Sequence, residues 1–173
     1  MGLFWKKKDK KPGNNSEDII AWNIKNAQDE ETKRYYEALS DKEYQTTKAE
    51  FYAILTEIKE TYSVLTNIAS FNSEAGDRLI NLCAEAIYRD DAIREKRAYY
   101  DSSKYEYCEP YKILSMAYEK REDYQRAATV CVVAIQKGYT KDGTSGGMRG
   151  RLARMIKKGD LPTSDQMKEI LNL

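Results

Sequence analysis

Through most of this chain, apolar side chains recur at alternating intervals of three and four residues, and no stretch sustains an every-second-residue pattern. A period near 3.6 gathers apolar groups into one stripe along an α-helix, whereas a strand requires a period of two. Tyr52, Leu55, Ile58, Tyr62, Leu65 and Ala69 form the longest stripe, and Leu79, Leu82, Cys83, Ala86, Ile87 and Ile93 form another. Only three prolines and nine glycines interrupt 173 residues, so little in the chain opposes helix. The expected fold class is all-α without a sheet, built as antiparallel helical hairpins, about six to seven helices in a single domain over residues 16–173.

Boundary signals divide the chain. Residues 1–15 read as a flexible basic tail that ends in Pro12-Gly13-Asn14-Asn15. A first helix is expected over about 17–39, with Ile20, Ile24, Ala27, Tyr35 and Leu39 on its apolar face. Ser40 and Glu43 have the spacing of a capping box and should open a second helix, 41–70. Phe71-Asn72-Ser73 breaks it and caps a third helix that fades near Tyr100. Pro110 suits the first turn of a helix over 110–120, and Asp123 can cap one over 124–137 that Gly138 closes. A glycine-rich loop, 141–147, leads into a further helix with Gly159 after its end, and Thr163 with Gln166 should cap the last.

The segment 110–138 carries a positional pattern. Tyr111, Leu114, Ser115 and Tyr118 are followed by the turn Asp123-Tyr124, then by Ala127, Cys131, Ala134 and Ile135. In this order and spacing the segment resembles a tetratricopeptide repeat, although Cys131 stands where an aromatic is usual and Tyr139 where a proline commonly ends the unit. The small residues Ser115 and Ala127 would let two helices cross closely, so large side chains there should splay the hairpin. The resemblance implies a right-handed superhelical array that binds a protein or peptide. Its concave, partner-binding face would carry Glu109, Lys112, Met116, Glu119 and Lys120.

Charge and chemistry narrow the function classes. The chain contains no histidine, which removes His-based triads, proton shuttles and His metal ligands. Asp90-Asp91 and Asp29-Glu30-Glu31 are helix neighbours that point apart and read as solvated acids rather than a catalytic pair. The loop 141–147, with Arg149 and Arg151 nearby, lacks the lysine and Ser/Thr of a nucleotide loop and reads as a connector. Neither an enzyme nor a cofactor, metal or small-molecule substrate is expected. Three widely spaced cysteines suggest reduced thiols and a cytoplasmic location.

Residues 12–140 hold 17 basic and 23 acidic side chains, so the folded part is not expected to track nucleic acid. At the N-terminus, Leu3-Phe4-Trp5 precede Lys6, Lys7, Lys8, Lys10 and Lys11. This suits an alternative role, recruitment to an anionic membrane surface or nucleic acid, with Trp5 and the lysines in contact. Fourteen tyrosines against three phenylalanines are the remaining oddity, and Tyr99, Tyr100, Tyr105 and Tyr107 are the best candidates for an interface.

Overall fold

The computed structural model describes residue 13 and residues 15–68, 70–101 and 106–172. Trp5, Lys6, Lys7, Lys8, Lys10, Lys11, Ala69 and Tyr105 lie outside the described residues. Among those described there are eight helices: α1 (Ser16–Asn26), α2 (Glu30–Ser40), α3 (Lys42–Ile68), α4 (Glu74–Tyr100), α5 (Glu109–Lys120), α6 (Tyr124–Gln136), α7 (Gly147–Gly159) and α8 (Asp165–Leu171). The chain is all-α as the periodicity implies, and its one isolated bridge, Tyr107 to Lys141, forms no strand among the described residues. No helix of the described residues is long and apolar enough to cross a membrane.

Side-chain capping explains where every described helix but α5 and α7 begins and corrects several expectations. The expected first helix is two, because Asp29 leaves helical geometry at φ −138°. Its carboxylate then accepts the Thr32 amide at 2.7 Å, satisfying an orphan donor of α2. Asp41 rather than Ser40 caps α3, accepting the Tyr44 amide at 2.9 Å, while the Ser40 hydroxyl donates back to the Glu37 carbonyl at 2.8 Å. Ser164 rather than Thr163 caps α8, accepting the Met167 amide at 3.2 Å. Gly159 is the last residue of α7, and Asp160 makes the left-handed exit at φ 48°. Ser73, Asp123 and Gly138 act as the sequence suggests.

Cross-helix ion pairs fix the direction of the longest hairpin. Glu57 pairs with Arg78, Glu50 with Arg89 at 3.0 Å and Glu43 with Lys96 at 2.8 Å, so one residue number rises as the other falls and α3 and α4 run antiparallel. Between them Ile58 and Leu65 meet Leu79, Cys83 and Ala86, all essentially inaccessible to solvent. The apolar stripe of α3 runs as expected through Leu55, Ile58, Tyr62 and Leu65 and differs only at its head. Phe51 is buried, whereas Tyr52 is 54% exposed.

The α5–α6 pair is also antiparallel, joined by the turn at Arg121-Glu122-Asp123. Arg126, early in α6, lies over the ring of Tyr118 near the end of α5, at 5.1 Å. Ser115 and Ala127 are both fully buried. The Ser115 hydroxyl donates within its own helix to the Lys112 carbonyl at 2.8 Å, so burial leaves it satisfied. This hairpin divides the interior into two clusters. Ile113, Leu114 and Ala117 join the core made with α3 and α4, while Tyr111, Ala127, Cys131 and Ala134 join Met148, Leu152, Met155 and Met167 from α7 and α8.

Helices α1 and α2 have no fully buried residue. Polar ties hold them to the rest: Gln45 Nε2 donates to the Ala38 carbonyl at 2.8 Å, Tyr99 to Glu37 at 3.1 Å and Lys42 to Glu17 at 2.9 Å. Local opening is cheapest where little apolar surface is buried. Hydrogen exchange is therefore expected to be fastest in the amides of α1 and α2 and slowest in α3, α4 and α6. Replacement of Ala127 by Leu should lower unfolding free energy by about 1–3 kcal/mol through overpacking, read from urea denaturation.

Candidate interaction surface

Glu109, Lys112, Met116, Glu119 and Lys120 follow helical spacing and share one side of α5, next to the buried stripe of Ile113, Leu114 and Ala117. Their contacts place this side between two other helices. Glu109 pairs with Lys59 of α3 at 3.0 Å, and the Met116 sulfur accepts the Tyr62 hydroxyl of α3 at 3.8 Å. Glu119 reaches α7 instead. Lys112 is half-buried and Lys120 exposed, and neither has a carboxylate partner among the described residues. Side chains on this side of α5 thus reach α3 through Glu109 and Met116 and α7 through Glu119.

Glu119 is not a free partner-binding acid. Arg154 grips it with two hydrogen bonds, Nε at 3.1 Å and a terminal nitrogen at 3.0 Å, and Lys158 adds a third at 2.8 Å. Burial works to raise its pKa, but the hydrogen bonds and charges of Arg154 and Lys158 outweigh burial and hold it below the ordinary value of 4.5. Arg151 stands 3.8 Å away and binds Asp142 through two nitrogens, at 3.0 and 2.8 Å. Asp142 also accepts the Thr144 amide at 2.9 Å and the Thr144 hydroxyl at 2.5 Å. Burial opposes ionisation of Asp142 too, yet the Thr144 hydrogen bonds and the Arg151 guanidinium lower its pKa below 3.8.

These bonds define the glycine-rich loop as a connector. Arg151, which the sequence places near a possible anion, is consumed by the loop's own aspartate in a pair 5% and 1% exposed. Gly147 closes the loop at φ 54°, where an added Cβ would lie 2.3 Å from the Thr140 carbonyl oxygen. Only glycine tolerates both that conformation and that approach.

Asp90 overturns the reading of Asp90-Asp91 as two solvated acids. It is 1% exposed, binds Arg97 at 2.5 Å and accepts the hydroxyl of Tyr139. Asp91 pairs with Lys137, and Arg94 donates to the Lys137 carbonyl. The end of α6 is thereby fastened to α4. The position of Tyr139, unusual for the repeat, has a structural reason: its ring packs against Tyr111 at 5.5 Å while its hydroxyl reaches the buried acid.

Other candidates are also structural. Tyr100 donates to Asp41 at 2.9 Å and packs on Tyr44, and Tyr99 binds Glu37, so both dock α2 and the start of α3. Tyr107 stays 41% exposed beside its bridge to Lys141. Burial pushes the Cys83 and Cys131 thiols up to about 12 and raises Cys108 as well, which keeps them protonated and poor nucleophiles.

The architecture is all-α, with packed antiparallel pairs at α3–α4 and α5–α6 and polar ties from α5 to both α3 and α7. No protein-family model, curated protein or solved structure matches the chain.

Asp142 and Glu119 titrate below their ordinary values in the fold. Their contribution to stability is therefore complete above the ordinary carboxyl pKa and is lost as pH falls through the depressed folded values. The unfolding midpoint should fall between about pH 5 and pH 3, and Asp142→Asn should flatten that dependence. At neutral pH the same substitution leaves Arg151 buried beside a neutral amide and should cost about 3 kcal/mol in chemical denaturation.

Proposed function

We propose that this chain is a non-enzymatic protein- or peptide-binding scaffold of tetratricopeptide-like build. The observation that supports the reading is the set of side-chain contacts by which α5 reaches both α3 and α7, with Lys112, Met116 and Lys120 on the same side of α5. Such ties are what alternate helices of successive hairpins would make in arrays that hold an extended segment along their inner face. Met116 adds an adaptable apolar contact beside Tyr62, and the two lysines supply charge not spent on carboxylates among the described residues.

Support also comes from what the charged groups do. The buried acids are engaged in fastening helices together, the thiols are protonated, and the sequence has no histidine. Such groups build a rigid platform and leave the α5 face to make contacts. Site-specific photocrosslinkers placed at Met116 and Lys120 should capture the same partners from cell extract. A crosslinker at the 70%-exposed Tyr88 on α4 should not. Capture that is equal at all three positions, or absent from α5, would remove the scaffold reading.

A further inference from the structure

We propose that the exposed side of α7 is a docking surface for acidic peptide segments, an inference that rests on the scaffold reading and names its partner chemistry. Residues 147–159 contain Arg149, Arg151, Arg154, Lys157 and Lys158 and no carboxylate. At about 100° per residue, Arg149, Arg154, Lys157 and Lys158 fall on the same half of the helix, with the small Gly150 and Ala153 between them. All six of these positions are exposed, whereas Arg151 turns inward with Met148, Leu152 and Met155.

Internal demand does not account for this charge. Glu119 is shared by Arg154 and Lys158, and Arg149 and Lys157 have no carboxylate partner among the described residues. Lys157 and Lys158 lie in the last turn, where the helix dipole favours cations. Arg149 lies in the first turn, where the same dipole disfavours one. Its placement costs helix stability and fits recognition of an anion better.

Glu119 shows how the surface takes a carboxylate. A two-pronged Arg154 and a Lys158 ammonium close on it, and Arg154 and Lys158 remain 44% and 48% exposed. Cations thus outnumber the acid they hold, and a partner's carboxylates can seat beside it along the unpaired Arg149 and Lys157. The small residues between allow a peptide backbone to approach.

An acidic peptide fits better than a nucleic acid. The cationic run from 149 to 158 spans only about 14 Å of helix. Residues 12–140 carry a net charge of −6, from 17 basic and 23 acidic side chains, so a long polyanion would be repelled by that part of the chain. A short Asp/Glu-rich segment satisfies the patch without extending beyond it.

The test is fluorescence anisotropy with the full-length chain and a labelled peptide of alternating Glu and Ser, against the same peptide with Gln for Glu. Binding of the Glu peptide alone is expected, weakening as salt is added, and weakening about tenfold in R149E/K157E. Both substituted side chains are exposed and their reversals act on the helix dipole in opposite senses, so a nearly unchanged thermal unfolding curve should accompany the loss. Equal binding of the Glu and Gln peptides, an unaltered affinity in R149E/K157E, or displacement by an RNA oligonucleotide that binds more tightly would each overturn the proposal. Selection of random displayed peptides on the same protein separates the two levels. Acidic sequences lost on R149E/K157E support the inference. Non-acidic sequences that compete at Met116 overturn it and leave the scaffold intact, and recovery of none removes both.

Discussion

Close approach of α5 and α6 is the constraint on which the remaining packing depends. Ser115 on one helix and Ala127, Ala128 and Ala134 on the other present almost no side-chain bulk, and all are fully buried. Because this hairpin is narrow, both of its sides remain available to neighbours. One side of α5 completes the core of α3 and α4, and α6 offers Cys131 and Val132 to the core shared with α7 and α8. A wider central pair would separate the two interiors, each too small to stand independently. The candidate interaction face is a consequence of the same geometry, since α5 carries it between α3 and α7.

Buried charges define how the outer helices register on that centre. Asp90 joins α4 to the segment just after α6 through Tyr139, and Asp142 ties the following loop to α7 through Arg151. Pairs of this kind gain modest net stability, because desolvation offsets much of their attraction. Misregister, however, would leave a charge buried without its counter-ion, at a cost of several kcal/mol. Their effect is therefore to select one docking geometry. It also follows that several groups with the composition of a reactive site are committed to structure, while Arg149 and Lys157 of α7, like Lys112 and Lys120 of α5, keep no carboxylate partner among the described residues.

Much of the element pattern was legible in the sequence because it rests on local rules. The stripes of α3 and α4, Pro110 in the first turn of α5, the Asp123 cap and the Gly138 exit are each set by residues a few positions apart. Errors arose where two local solutions lie close in energy. Asp41 and Ser40 can both cap α3, and Phe51 and Tyr52 can both head its apolar stripe. The break at Ala27-Gln28-Asp29 contains neither glycine nor proline, and its only signal was an aspartate three residues before Thr32. The five positions Glu109, Lys112, Met116, Glu119 and Lys120 follow from the repeat resemblance, and helical spacing puts them on one side of α5, but their partners Lys59, Tyr62 and Arg154 lie too far away in sequence to be read.

By itself, then, the sequence determined helix, its approximate limits and the small-residue seam at 115 and 127, because backbone capping and side-chain periodicity act over one or two turns. Tertiary structure alone decided which charges would be spent. Asp90 meets Tyr139 across 49 positions, and Glu119 meets Arg154 across 35, distances in sequence over which no local pattern links a carboxylate to its donor. An acid on a helix looks the same in sequence whether water or a distant tyrosine solvates it. The choice is made only when helices pack and remove the water.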